Sequence, residues 1–180
     1  MSTYTFNHVN YLWDEAHAQS LKDDQIALFL YRSNLLGADL RITNYGGGNT
    51  SCKTIEKDPL NNEYVEIMWI KGSGGDIGTL TRKGIAGLYT KRLRDLKNVY
   101  QGLHDEDRMV GLFNHCIFDL ESRAPSIDTP LHGLLPFKHI DHLHPDALIA
   151  IAASANSKEI TREIWGDTMG WVGWQRPGFD

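Results

Sequence analysis

Cysteine is scarce: only Cys52 and Cys116 occur in 180 residues, and neither belongs to a CxxC pair. A disulfide framework is thereby excluded, and a reducing cytoplasm is the expected compartment. Long apolar runs are also lacking. Nothing approaches the roughly 20 consecutive residues of a membrane helix, and residues 1–10 hold no basic stretch leading into an apolar one. Positive charge is in deficit, with 18 Lys and Arg against 23 Asp and Glu and a formal net charge of −5. A generally basic surface for nucleic acid is excluded, although a local basic pocket is not. No repeat, low-complexity tract or linker interrupts the chain, so one domain over residues 1–180 around one core is expected.

What is present is a mixture of helical and strand patterns. Residues 24–36 carry Ile26, Leu28, Phe29, Leu30, Leu35 and Leu36, with Asp23 or Asp24 as a cap and Gly37 as a stop. Leu40 and Ile42, the turn Gly46-Gly47-Gly48-Asn49-Thr50-Ser51, and then residues 52–55 read as a hairpin. Residues 64–70 are β-branched and aromatic enough for a strand, which ends in a second glycine-rich turn, Lys71-Gly72-Ser73-Gly74-Gly75-Asp76. Helical spacing predicts one helix from a cap at Thr81 through Leu96 and another over residues 105–120. A short helix near residues 130–135, a His-rich strand over 138–144, and helices after Pro145 and over 157–165 complete the expectation.

Chemistry concentrates in three places. His142 and His144 stand two apart on the expected strand, so their imidazoles project to one face as a metal chelate would require. The same parity sends His139 and Asp141 to the other face. Two histidines alone leave a Zn²⁺ site incomplete, since at least three protein ligands are needed. Asp128 precedes the short helix and reads either as a catalytic base or as the cap of a helix beginning at Thr129 and Pro130. His132 either lines the same pocket or packs in the core. Both glycine-rich turns could cradle a phosphate through backbone N–H groups, yet neither has the strand-to-helix setting of a P-loop or a dinucleotide fingerprint. Trp165, Trp171 and Trp174 read as core or interface residues rather than a stacking platform.

Taken in order, GGGNTS, WIKGSGGD, PSIDTPLH and HIDHLHPD resemble the class II aldolase/adducin family. With MGWVGWQRPGF added, the set is most similar to the N-terminal aldolase part of bifunctional rhamnulose-1-phosphate aldolase/short-chain alcohol dehydrogenase proteins. The resemblance implies an α/β/α-layered domain around a mainly antiparallel sheet, as the N-terminal fragment of a longer protein. It implies Zn²⁺ on His142 and His144, Asp128 in place of the usual Glu as catalytic acid/base, and phosphate or substrate contacts from Gly48, Asn49, Ser73, Gly74 and Ser126. The implied reaction splits a ketose 1-phosphate such as rhamnulose 1-phosphate into dihydroxyacetone phosphate and L-lactaldehyde. Its partner is a sugar phosphate, not a nucleic acid or membrane, in a homo-oligomer. The family's third histidine has no match after His144. An inactive or adducin-like interaction module and a sugar-phosphate epimerase are the other readings the motifs allow.

Overall fold

A computed structural model describes His8 and residues 10–179; the rest of the polar lead and Asp180 lie outside the described residues. Helix α1 (Glu15–Ser20) was not expected from the sequence and starts on Asp14, whose carboxylate accepts from Ala16 N and His17 N. Helix α2 (Gln25–Ala38) starts on Asp24 in the same way, with bonds from Ile26 N and Ala27 N; such caps are each worth about 1 kcal/mol. Gly37 does not stop this helix. It lies inside α2 because the helix crosses the backbone at Gly78 so closely that a Cβ would come within 2.1 Å of Gly78 N.

Among the described residues, four strands form one wholly antiparallel sheet in the order β3-β2-β1-β4. Strand β1 (Asn49–Lys57) and β2 (Tyr64–Lys71) pair through the register Ser51↔Ile70 to Lys57↔Tyr64. Strand β3 (Ile85–Tyr89) pairs with β2, and β4 (His139–His142) pairs with the first half of β1, Asn49 against His142. The expected partner of β1 at residues 40–42 does not form. Asp39 instead closes a local turn, accepting Arg41 N at 3.0 Å on its carboxylate and Ile42 N at 3.0 Å on its carbonyl, and such bonds compete with a strand ladder.

A second correction concerns residues 81–96. A short 3-10 turn at Arg82–Gly84 leads into β3, and only Thr90–Asp95 is helix, α3. The apolar residues of β3 are buried from both sides, so they show no strand alternation: Ile85 packs with Phe29, Cys52 and Leu80, whereas Ala86 and Leu88 pack with Met68, Ile70, Leu93 and Met109. The expected helix over 105–120 is shorter too: α4 (Glu106–Leu112) tightens into a 3-10 turn, Phe113–Cys116. Helices α5 (Thr129–Leu134), α6 (Asp146–Ala152) and α7 (Ser157–Trp165) follow the expectation closely. Helix α2 thus covers one face of the sheet while α3 and α4 cover the other, giving the layered α/β/α arrangement with a core on each side.

Candidate active site

The start of β1 and the end of β4 lie side by side, and the candidate residues gather there. Asn49, Ser51 and His142 share the sheet face on which α5 packs. Asn49 is 4% exposed, and its Nδ2 donates to Ser126 Oγ at 3.3 Å and, over a shorter distance, to Asp128 Oδ2. Ser126 Oγ donates to the same Asp128 oxygen at 3.1 Å. Asp128 occupies the N-cap position of α5, yet its side chain makes no cap bond. The carboxylate is turned to Asn49 and Ser126, so capping does not account for it.

Asp128 Oδ2 lies 3.9 Å from His142 Nδ1. His142 closes β4 and His144 lies two residues past the strand end, yet their Nε2 atoms are 3.1 Å apart with rings inclined at 66°. Two imidazole nitrogens on one tetrahedral Zn²⁺ stand about 3.3 Å apart, given Zn–N bonds of about 2.0–2.1 Å. Burial holds His142 below the usual histidine range; Asp128 opposes that shift, and His144 and Lys71 reinforce it. The favoured neutral imidazole is the form that ligates a metal. His139 and Asp141 take the opposite face, where Asp141 pairs with Arg32 of α2 at 3.0 Å.

The first glycine-rich turn is shaped by these histidines. Gly48 has φ +71°, and a Cβ there would stand 2.5 Å from the His142 carbonyl oxygen; one on Gly47 would stand 2.8 Å from His144 Nδ1. The second turn is tied to the first by Gly46 N donating to Asp76 Oδ1 at 3.0 Å. It is also stitched to the segment before Asp128, through a Gly72↔Pro125 bridge and Ser73 N on Ala124 O at 2.9 Å. Gly48, Asn49, Ser126, Asp128, His142 and His144 are therefore brought together. Ser73 and Gly74 are exposed nearby and, among the described residues, make no hydrogen bond to that cluster.

Two residues were missed as site components or left undecided by the sequence. His132 is fully buried, with Nδ1 2.7 Å from Ser51 Oγ and Nε2 buried without a partner among the described residues. Burial drops its pKa to about 4, reinforced by the charge of His142. Asn49 with Asp128 and Ser51 with His132 form two polar rungs between β1 and α5, two residues apart on the strand and four apart on the helix. Lys71, 3% exposed at the end of β2, feels the charge of Asp128, though burial lowers its pKa overall. Only the lysine beside a glycine-rich turn could have signalled it.

The family model described as class II aldolase and adducin N-terminal domain matches residues 30–179. The chain belongs to this family. A solved structure, the N-terminal class II aldolase domain of a conserved protein from Thermoplasma acidophilum, superposes with a TM-score of 0.78 at 25% identity, covering 98% of this chain and 76% of that one. The uncharacterized oxidoreductase YuxG of Bacillus subtilis is 42% identical over 171 residues, 95% of this chain. The chain spans 24% of that protein's length.

The donor set of this aldolase-family domain fits a divalent cation in part. The spacing of His142 and His144 suits two ligand positions, but among the described residues no group of three His, Cys, Asp or Glu side chains is arranged to hold an ion.

Proposed function

We propose that this chain is a metal-dependent aldolase domain that cleaves a ketose 1-phosphate, of the rhamnulose 1-phosphate type, to dihydroxyacetone phosphate and L-lactaldehyde. The observation that carries this reading is the Asp128 carboxylate, released from helix capping and held by Asn49 and Ser126 beside the paired imidazoles of His142 and His144. His142 and His144 would hold Zn²⁺, with a remaining ligand from outside the described residues. When bound, the ion would act as a Lewis acid toward the substrate carbonyl and the adjacent hydroxyl.

The chain's own residues do the remaining work. The Gly48–Asn49 turn, Ser126 and the exposed Ser73–Gly74 turn receive the phosphate and set the register of the sugar. Breaking the bond between C3 and C4 leaves its electron pair on the three-carbon fragment as an enediolate, and C4 departs as the aldehyde carbon. The Asp128 carboxylate takes the proton that the C4 hydroxyl gives up on becoming the aldehyde and, as the carboxyl, delivers it to C3. Asn49 and Ser126 fix the orientation of that carboxyl, because both donate to its Oδ2. Neither glycine-rich turn has a dinucleotide setting, so the oxidoreductase name of the B. subtilis relative has no counterpart in this stretch. The two-ligand donor set among the described residues supports one rival, a non-catalytic module of the adducin type.

One experiment separates them. The protein is purified without chelator, Zn²⁺ per subunit is measured by elemental analysis, and rhamnulose 1-phosphate cleavage is followed, with His142→Ala and Asp128→Asn alongside. About one Zn²⁺ per chain is expected, lost in His142→Ala and kept in Asp128→Asn, with cleavage lost in both. Metal-free protein without cleavage would favour the module, and an active Asp128→Asn would remove Asp128 from the reaction.

A further inference from the structure

A guanidinium on the same sheet face has no part in the function argued so far. Arg123 is exposed, and its side chain makes no hydrogen bond or ion pair among the described residues. It lies along Gly72: a Cβ added there would stand 2.9–3.0 Å from its Cβ, Cγ and Cδ, and one added to Gly74, at φ +70°, would stand 3.8 Å from Nη2. A side chain at position 72 would displace the arginine, so the glycine provides its seat.

Position 72 keeps the parity of Met68 and Ile70, and it bridges Pro125, with Ser73 N on Ala124 O, so the segment carrying Arg123 runs past the second turn to Ser126, whose hydroxyl accepts from Asn49. Asn49 in turn pairs with His142. Arg123 therefore lies on the face of Asn49 and His142, beside the second turn and three residues before Ser126. That placement suits a sugar phosphate whose reacting carbons lie at the histidines and whose phosphate lies at the turn.

The charges around the turn point the same way. Lys71 is buried, its ammonium makes no hydrogen bond among the described residues, and Arg123 pushes against its charge. Asp128 and Asp76 oppose that push, but each carboxylate already accepts other donors, Asp128 from Asn49 and Ser126 and Asp76 from Gly46 N. A cavity of about 190 Å³ beside the turn is lined by Gly75, Asp76, Thr79, Thr81, Lys83 and Arg123. An anion at Arg123 would relieve that repulsion, and an arginine offers a paired donor fork to phosphate oxygens.

We propose that Arg123 is the specificity-determining cation of this site, which with Lys71 and the Ser73–Gly74 turn selects a phosphate monoester over the uncharged sugar. This rests on the aldolase reading for its substrate, and Arg123 is not among the residues that the family resemblance assigns. The test uses inorganic phosphate as the probe, titrated calorimetrically into the wild-type protein, Arg123→Ala and Arg123→Lys. Phosphate should bind roughly 10- to 100-fold more weakly to Arg123→Ala, as loss of a charge-assisted bond implies, and by less to Arg123→Lys. Thermal stability should be unchanged. KM for the ketose 1-phosphate should rise by the same factor while kcat is kept. Equal phosphate affinity in wild type and Arg123→Ala, or no phosphate binding by the wild type, would overturn the assignment. Phosphate binding through Arg123 without sugar-phosphate cleavage would leave it standing and remove the aldolase reading instead.

Discussion

The buried histidine between β1 and α5 gives the sharpest physical test. His132 is 0% exposed and its pKa is lowered to about 4, chiefly because burial penalises the imidazolium. In the unfolded chain the same side chain titrates near 6.5. Between those values the unfolded state binds more protons than the native state, so stability falls as pH falls. The loss begins near pH 6.5 and levels off below about pH 4, where the native histidine also protonates. At pH 5 the linkage amounts to about 2 kcal/mol, and its full extent is about 3 kcal/mol. Replacing His132 with Asn keeps a polar group within reach of Ser51 and removes the titration. The variant carries a constant offset from lost packing, but its stability relative to wild type should improve by about 2 kcal/mol between pH 7 and pH 5. Urea unfolding at pH 7, 6, 5 and 4.5 measures this directly, and thermal melts should show the same trend as a relative gain of about 4–8 °C. Since His139 and His142 also sit below the usual range, the wild-type slope alone decides nothing, and the difference between the two proteins is the readout. Parallel stability curves for wild type and variant would refute a neutral, buried His132.

Two other perturbations follow from the same packing. Gly48→Ala places a Cβ 2.5 Å from the His142 carbonyl at a φ of +71°; the left-handed backbone alone costs about 1–2 kcal/mol, so a lower melting temperature and loss of bound Zn²⁺ are expected together. Cys52 and Cys116 are both buried, and burial raises Cys116 to about 11. A thiol reagent at pH 8 should therefore label neither in the native protein and both after denaturation; rapid native labelling would show that these cores open.

Much of the site was legible because its residues are bound by local sequence geometry. The His-x-His spacing, the glycines before Asn49, and the Ser126–Asp128 pair each carry a short-range constraint that survives without tertiary information. Which role Asp128 takes was not legible, since Asp before Thr-Pro suits a helix cap equally well; the decision lies in Asn49, 79 residues away. His132 was undecided for a similar reason, because a polar residue on a short helix says nothing about burial until its strand partner is known. The fold failed locally where competing patterns coincide. Residues 85–96 give apolar spacing compatible with a helix, yet Ile85, Ala86 and Leu88 serve two opposite cores, and a strand buried on both faces loses its period. Gly84, whose carbonyl accepts from Gly72 N, and Gly87, packed under the Trp69 ring, were the local signs of a strand there.

The antiparallel sheet also separates the lip that carries the candidate site from a second lip at its other end. The residues argued to matter lie where β1 starts and β4 ends, whereas β1 and β2 are joined at their other ends by the tight turn between Lys57 and Tyr64. That turn closes on itself, with Asp58 accepting Leu60 N and Asn62 in the left-handed region, and Leu60 is 89% exposed. Eight residue steps along β1 put it about 27 Å from Asn49. A fluorophore, an affinity tag or an inserted peptide belongs at residues 60–62, where it would report on the protein from the end of the sheet away from Asn49 and His142.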